Sequence, residues 1–103
     1  MKNYSIIILL IIIAGCAVSN KLQPGAKEIS SMQQKVPGIS LEKAMQGYVL
    51  YKTNCSACHS LYIPDQFTIS QWEKILPVMF ERAKISSLQD RQLINDYLFS
   101  KSK

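Results

Sequence analysis

The hydrophobic pattern of the chain begins with one unbroken apolar run, from Ile6 to Ala14, which follows a single lysine. The run is too short to cross a bilayer as a mature helix, since a span needs about 20 apolar residues. A charged start, an apolar stretch and small residues before a cysteine are the successive regions of a signal peptide. The sequence therefore predicts that residues 1–15 are a signal peptide and that the chain leaves the cytoplasm.

The next segment, from Ala17 to Ile39, shows no sustained apolar period. It contains two Pro-Gly pairs, at residues 24–25 and 37–38, and such pairs are turn signals. We expect residues 16–39 to form a flexible tether that carries one short helical turn around Glu28 to Gln34.

A helical period starts at Ser40, which can cap the helix LEKAMQGYVLYKTN and is followed by Glu42 in the favourable first turn. Gly47 interrupts this helix, where glycine costs about 1 kcal/mol relative to alanine unless a packing contact offsets the cost. The apolar face of the helix comprises Leu41, Ala44, Tyr48, Tyr51 and Cys55.

Two further helices are predicted towards the end of the chain. One begins near Ser70 and has Pro77 inside it, where proline would break or kink a helix. The other opens at Ser87, three residues before Asp90, in a variant of the capping box. Its apolar residues Leu88, Leu93, Ile94, Tyr97 and Leu98 recur at helical spacing. The pattern predicts an all-α fold.

Length and charge limit the possible functions. The 103 residues have room for one domain, which we place at residues 40–103. Removal of residues 1–15 would take one lysine from the 12 basic side chains and leave 11 against 7 acidic ones, a net charge of +4. Such a surface favours acidic partner proteins and anionic headgroups, or is simply solvated. Nucleic acid is the wrong partner for an exported, membrane-anchored chain.

The stretch NCSACHS, residues 54–60, places Cys55, Cys58 and the chain's one histidine, His59, within five positions. Residues i, i+3 and i+4 of a helical turn share one face, so the three side chains would point at one object. A structural zinc site needs four ligands, and the remaining cysteine, Cys16, is assigned below to a lipid, so the chain has too few soft ligands for such a site. A thioredoxin-like pair belongs beside a βαβ unit, which the pattern lacks. Cys-x-x-Cys-His is the attachment sequence of c-type haem, and an inert or disulfide-bonded pair remains the alternative.

The end of the apolar run, Ile13-Ala14-Gly15-Cys16, resembles the lipobox of bacterial lipoproteins. This resemblance implies cleavage before Cys16 and acylation of that residue. An ordinary signal peptide or an uncleaved anchor is the alternative. Attachment of haem c in bacteria is also extracytoplasmic, so the two motifs agree on the compartment.

The arrangement GYVLYKTNCSACHS, followed by a last helix that ends INDYLFS, resembles class I cytochromes c over about 60 residues, from Ser40 to the end. In that family the first and last helices cross beside the haem, and a glycine meets an aromatic residue. Gly47 and Tyr97 stand at those places here. The resemblance implies one covalent haem c held by Cys55 and Cys58, with His59 as an iron ligand.

The sixth iron ligand cannot be a second histidine of this chain, and methionine is the usual alternative in cytochromes c. The distal ligand of the family follows the attachment motif, as Met79 does, whereas Met32 and Met45 precede it. Met79 also fits an ordinary buried stripe with Trp72, Ile75 and Ala83. Both interpretations stay open.

Several supporting roles follow from the resemblance. The free ring nitrogen of His59 would donate to a carbonyl, for which the Ile63-Pro64 turn is a candidate. Trp72 would donate its indole N–H to a haem propionate or pack in the core. Arg82 and Arg91 would pair with propionates or remain solvated.

These expectations combine into an all-helical monohaem cytochrome c, lipid-anchored to a bacterial membrane and facing the periplasm. It would carry single electrons between redox proteins, with His59 and Met79 on the iron, and would not be an enzyme. The alternative is a ligand-binding, sensory or peroxidase-like haem protein with an open distal site. A haem-free lipoprotein is the third class.

Overall fold

Four α-helices form most of the described part of the protein, which comprises residues 21–56 and 60–103 of a computed structural model. No strand occurs among these residues, so the prediction of an all-α fold is confirmed. Short 3₁₀ turns lie at Ala26–Glu28 and Pro64–Gln66. The helices are α1, Ile29–Lys35; α2, Leu41–Cys55; α3, Ile69–Arg82; and α4, Leu88–Ser100.

Five predictions fall on residues outside this part of the chain. They concern the signal peptide of residues 1–15, Cys16, the start of the tether, Cys58 and His59. None of the helices formed by residues 21–56 and 60–103 has the length and apolar character needed to cross a membrane.

The helices begin where side chains can accept the first backbone N–H groups. The Ser40 hydroxyl accepts from the N–H of Lys43 at 3.1 Å, and the Ser87 hydroxyl accepts from that of Asp90 at 3.2 Å. Both predicted caps are therefore confirmed. At the start of α3, Thr68 forms a reciprocal capping box with Gln71, which the sequence analysis did not identify.

Helices α2 and α4 approach so closely at Gly47 that no side chain fits between them. A Cβ atom on Gly47 would lie 2.2 Å from the carbonyl oxygen of Leu93 and 2.6 Å from Cβ of Tyr97. The predicted contact between Gly47 and Tyr97 is therefore present. It supplies the packing that offsets the poor helix propensity of glycine.

The main core is filled by aromatic residues from three helices. The rings of Tyr51 on α2 and Trp72 on α3 meet edge to face, with centroids 6.4 Å apart, and Tyr97 on α4 packs against Tyr51 at 5.9 Å. Leu76, Phe80, Ile85, Ile94 and Leu98 complete this core.

Part of the segment expected to be a flexible tether, from Leu22 to Ile39, packs against the helices of the predicted domain. Helix α1 covers the predicted short turn, and Met32 is 1% exposed in a second cluster with Ile39 and Ala44. A carboxylate oxygen of Glu28 lies 3.0 Å from Nζ of Lys101. These contacts order the segment, although its short apolar pattern is interrupted by turn residues.

Pro77 does not break the helix that contains it, contrary to one of the two predicted outcomes. Helix α3 runs from Ile69 through Pro77 to Arg82. A proline ring leaves the carbonyl four residues earlier without its usual donor. That residue is Glu73, and both Glu73 and Pro77 are exposed, so water can reach this side of the helix.

Substitution of Gly47 by alanine should lower the free energy of unfolding by about 1–3 kcal/mol, because the new methyl group overpacks the α2–α4 contact. The loss should appear despite the gain of about 1 kcal/mol in helix propensity. Urea denaturation would measure it.

Gly25→Ala is the matched control, since its Cβ would meet its nearest neighbouring atom at 3.7 Å. We expect this control to change the unfolding free energy by less than about 1 kcal/mol. A Gly47→Ala protein as stable as the wild type would contradict the close crossing.

Candidate functional site

Cys55, the first cysteine of the attachment motif, is the last residue of α2 and is 3% exposed. The final turn of this helix is tied by side chains of the motif itself. The Asn54 amide donates to the carbonyl of Leu50 at 2.8 Å, and the Ser56 hydroxyl donates to that of Lys52 at 2.7 Å. The rigid helix therefore fixes the position of the first thiol.

A cavity of about 350 Å³ lies beside Cys55. Its walls are mainly apolar and come from the end of α2, the loop after the motif and α3. The lining residues are Cys55, Tyr62, Ile75, Val78, Met79, Arg82 and Ala83. This volume is within the range of small-molecule sites, roughly 300–1,000 Å³.

Met79 shares this cavity with Cys55, although 24 positions separate the two residues in the chain. The other methionines of the described residues lie elsewhere: Met32 is buried in the second cluster, and Met45 lines an apolar groove between α2 and α4. Among the described methionines, Met79 is thus the one placed beside the attachment motif. It also packs against the main core, as the alternative interpretation expected.

The contacts of Trp72 favour the core interpretation over that of a propionate donor. Its indole N–H donates to the carbonyl of Pro64 at 2.9 Å, and the side chain is fully buried. An indole has this single donor, so the bond leaves nothing for another acceptor. Trp72 is a core residue that fixes the loop, which was the second interpretation of the sequence.

The loop after the motif is held by a second core side chain. The Tyr51 hydroxyl donates to the carbonyl of Tyr62 at 2.8 Å. Tyr51 and Trp72 therefore secure two carbonyls of this loop, at residues 62 and 64. Sequence reasoning placed Tyr51 on an apolar face but did not identify this bond, because a helical period indicates burial and not the acceptor of a hydroxyl.

The Ile63-Pro64 turn was expected to accept the ring N–H of His59. In the structure the carbonyl of Ile63 accepts from the N–H of Gln66 at 3.0 Å, and that of Pro64 accepts from Trp72. A carbonyl oxygen has two lone pairs, so each retains capacity for a second donor. His59 is outside the described residues, and this role stays a prediction.

The two arginines differ in their surroundings. Arg91 donates through Nε to the carbonyl of Ile85 at 2.6 Å, and its guanidinium lies 5.3 Å from the centre of the Phe80 ring. These contacts give Arg91 a structural role at the start of α4. Arg82 is exposed and lines the Cys55 cavity, so it remains a candidate partner for a propionate.

Clusters of metal-ligating side chains are absent from the described residues. Within residues 21–56 and 60–103, no three side chains of histidine, cysteine, aspartate or glutamate gather into a group.

Burial is the main cause of the raised tyrosine pKa values in the core. It raises the pKa of Tyr51 and that of Tyr97 far above the ordinary tyrosine value of about 10. The neighbouring Cys55 raises the pKa of Tyr51 further, and Tyr51 acts in the same way on Tyr97. Both hydroxyls therefore remain protonated donors over the whole range of physiological pH.

Comparisons of the chain with models of protein families, with curated proteins and with solved structures gave no match.

Above about pH 10, the free energy of unfolding should fall as pH rises. Tyrosines of the unfolded chain lose their protons there, whereas Tyr51 and Tyr97 keep theirs in the folded state. Each tyrosine contributes a slope of about 1.4 kcal/mol per pH unit, and its stabilisation is complete below pH 10.

Urea unfolding would test this between about pH 9 and pH 11, a range that brackets the ordinary tyrosine pKa of about 10. Tyr51→Phe should lower the stability at neutral pH and also make the alkaline slope shallower. An unchanged slope in Tyr51→Phe would argue against a contribution from this residue.

Proposed function

We propose that the chain is a monohaem c-type cytochrome that is lipid-anchored to a bacterial membrane, faces the periplasm and transfers single electrons. The observation that supports it best is one cavity lined by both Cys55 of the attachment motif and Met79. A haem c that is attached through the motif and ligated by a methionine would need such a cavity.

The residues of the cavity fit a flat, largely apolar group with a charged edge. Ile75, Val78 and Ala83 give the walls an apolar character, and Arg82 stands at the exposed side, where propionates would lie. A domain of about 60–80 residues buries little surface of its own. A bound macrocycle would extend the core formed by Tyr51 and Trp72.

The side chains would divide the work as the resemblance implies. Cys55 and Cys58 would form the two thioether bonds, and His59 and Met79 would supply the protein ligands of the iron. When bound, haem c supplies the Fe(III)/Fe(II) couple of a one-electron carrier. The packing of α2 on α4 and the bonds of Tyr51 and Trp72 to the loop would keep these ligands in place during electron transfer.

The export of the chain is part of the proposal. Residues 1–15 would be removed as a signal peptide, and Cys16 would be acylated, which places the domain outside the cytoplasm on a membrane. Its partners would be redox proteins, with acidic docking surfaces favoured by the basic character of the chain. No nucleic acid and no enzymatic substrate would take part.

One observation favours the second candidate, a ligand-binding, sensory or peroxidase-like haem protein. Met79 is only partly buried, and its neighbour Val78 is 50% exposed. Small molecules could therefore reach the distal side of the cavity if Met79 left the iron or never bound it. The distal ligand decides between the two functions.

Covalent attachment through Cys55 and Cys58 is the first expected result. Protein made in cells with a haem c attachment system should stain for haem on a denaturing gel, and the colour should stay with the polypeptide after acid-acetone extraction. Cys58→Ser should weaken the attachment by removing one of two bonds. Complete extraction of colour from the wild type would reject haem c.

Met79→Ala should remove the weak near-infrared sulfur-to-iron band of the oxidised protein, lower the reduction potential and allow carbon monoxide to bind the reduced form. The physical reason is the loss of the thioether ligand, which favours the reduced iron. Absorption spectra and a redox titration would measure all three effects.

Met45→Ala is the matched control, because Met45 lines the groove between α2 and α4 and not the Cys55 cavity. Both methionines are partly buried, so each substitution should lower the stability whether or not Met79 binds iron, and stability does not discriminate the two functions. If the wild-type protein is high-spin and binds carbon monoxide readily, the second function, a ligand-binding, sensory or peroxidase-like haem protein, replaces electron transfer.

A further inference from the structure

The start of the described chain is fastened to the end of α4. The Tyr97 hydroxyl donates to the carbonyl of Leu22, and Nζ of Lys101 lies 3.0 Å from both carboxylate oxygens of Glu28. The Lys101 side chain is only 8% exposed in this pair. Lys35 also donates to the carbonyl of Ser102. Leu22, near the start of the described residues, is therefore held against the end of α4.

This attachment limits how far the domain can stand from its proposed anchor. Six residue steps separate Cys16 from Leu22, and even a fully extended chain covers about 20 Å over that length. A free tether up to Ile39 could have reached about 80 Å. The limit changes little if the apolar run is retained, since Ala14 is only two positions earlier.

Lysines gather at this same end of the domain. A polar cavity of about 480 Å³ is lined by Lys21, Lys35 and Lys101 together with Glu28 and Asp65. Lys27 adjoins Glu28, and Lys103 is tied by its backbone N–H to the carbonyl of Phe67 at 2.9 Å. Lys21, Lys27 and Lys103 are exposed. We call these five lysines, at positions 21, 27, 35, 101 and 103, the lysine end.

We propose that the lysine end rests on anionic lipid headgroups of the membrane to which the N-terminus is attached. The inference depends on the membrane attachment of the proposed function but not on haem. The short reach keeps this end near the bilayer surface, where the potential of anionic lipids attracts each lysine and falls off over about 8–10 Å. Five lysines against two carboxylates give the end the required positive charge.

Lysine footprinting of the full chain on vesicles would test the contact. The protein is bound to vesicles of phosphatidylcholine alone or with phosphatidylglycerol, recovered by flotation, treated briefly with an amine-reactive acetylating reagent and analysed by mass spectrometry. On the anionic vesicles, Lys21, Lys27 and Lys103 should be acetylated at least roughly threefold more slowly than on phosphatidylcholine alone. High salt should restore their rates.

Three exposed lysines elsewhere in the domain, Lys43, Lys74 and Lys84, are internal controls whose rates should be equal on both vesicles. A variant with a flexible Gly-Ser insertion between Cys16 and Lys21 has a longer tether and the same lysines. It therefore distinguishes the effect of a short tether from the effect of charge. Its lysine end should remain protected on anionic vesicles, because charge holds it there, and should react on neutral vesicles as fast as that of the wild type.

Several outcomes would overturn the inference. Equal reactivity of all exposed lysines on anionic vesicles excludes the contact, and equal protection on both vesicle types assigns it to the short anchor alone. Protection by added polyglutamate but not by phosphatidylglycerol would assign the lysine end to an acidic protein partner. A chain that does not float with either vesicle lacks the proposed anchor as well. The footprint does not involve haem, so the Met79 spectra succeed or fail independently.

Discussion

The close crossing of α2 and α4 at Gly47 helps to set the position of Cys55, the first residue of the candidate site. Gly47, Tyr51 and Cys55 follow one another at intervals of four and therefore share a face of α2. The first meets the backbone of α4, the second enters the aromatic core, and the third reaches the cavity. A side chain at Gly47 would push α2 outward at one end and displace Cys55 at the other. The packing of two helices is thus also the positioning of the first thiol.

The loop between the motif and α3 depends on this crossing in turn. Tyr51 and Trp72 donate to carbonyls only two residues apart, those of Tyr62 and Pro64. The net gain from such a bond is about 1 kcal/mol, but a buried group left without its partner costs about 1–3 kcal/mol. Both donors are buried, so a different loop path would leave two polar groups unsatisfied. The loop is consequently held in the register that brings Met79 of α3 opposite Cys55.

The features that were predictable from sequence are those coded by local spacing. The hydroxyls of Ser40 and Ser87 each accept a bond from the backbone N–H three residues ahead. The contact of Gly47 with Tyr97 joins distant positions, and it was expected only from the resemblance to class I cytochromes c. The order of residues 22–39 was not predictable in this way. Its contacts join Glu28 to Lys101 and Leu22 to Tyr97, more than 70 positions apart. For the same reason the sequence offered two roles for Trp72, since only the folded loop presents the carbonyl of Pro64 to its N–H.

The candidate haem site and the lysine end are neighbours, because one short loop contributes to both. Tyr62 lines the Cys55 cavity and Asp65 lines the lysine cavity. Three residue steps can separate their Cα atoms by about 10 Å at most. A domain resting on its lysine end would therefore hold the cavity close to the plane of the headgroups. Electron transfer rates fall with distance, so the two proposals together favour partners that present their own redox centre at the membrane surface over partners that act far from it.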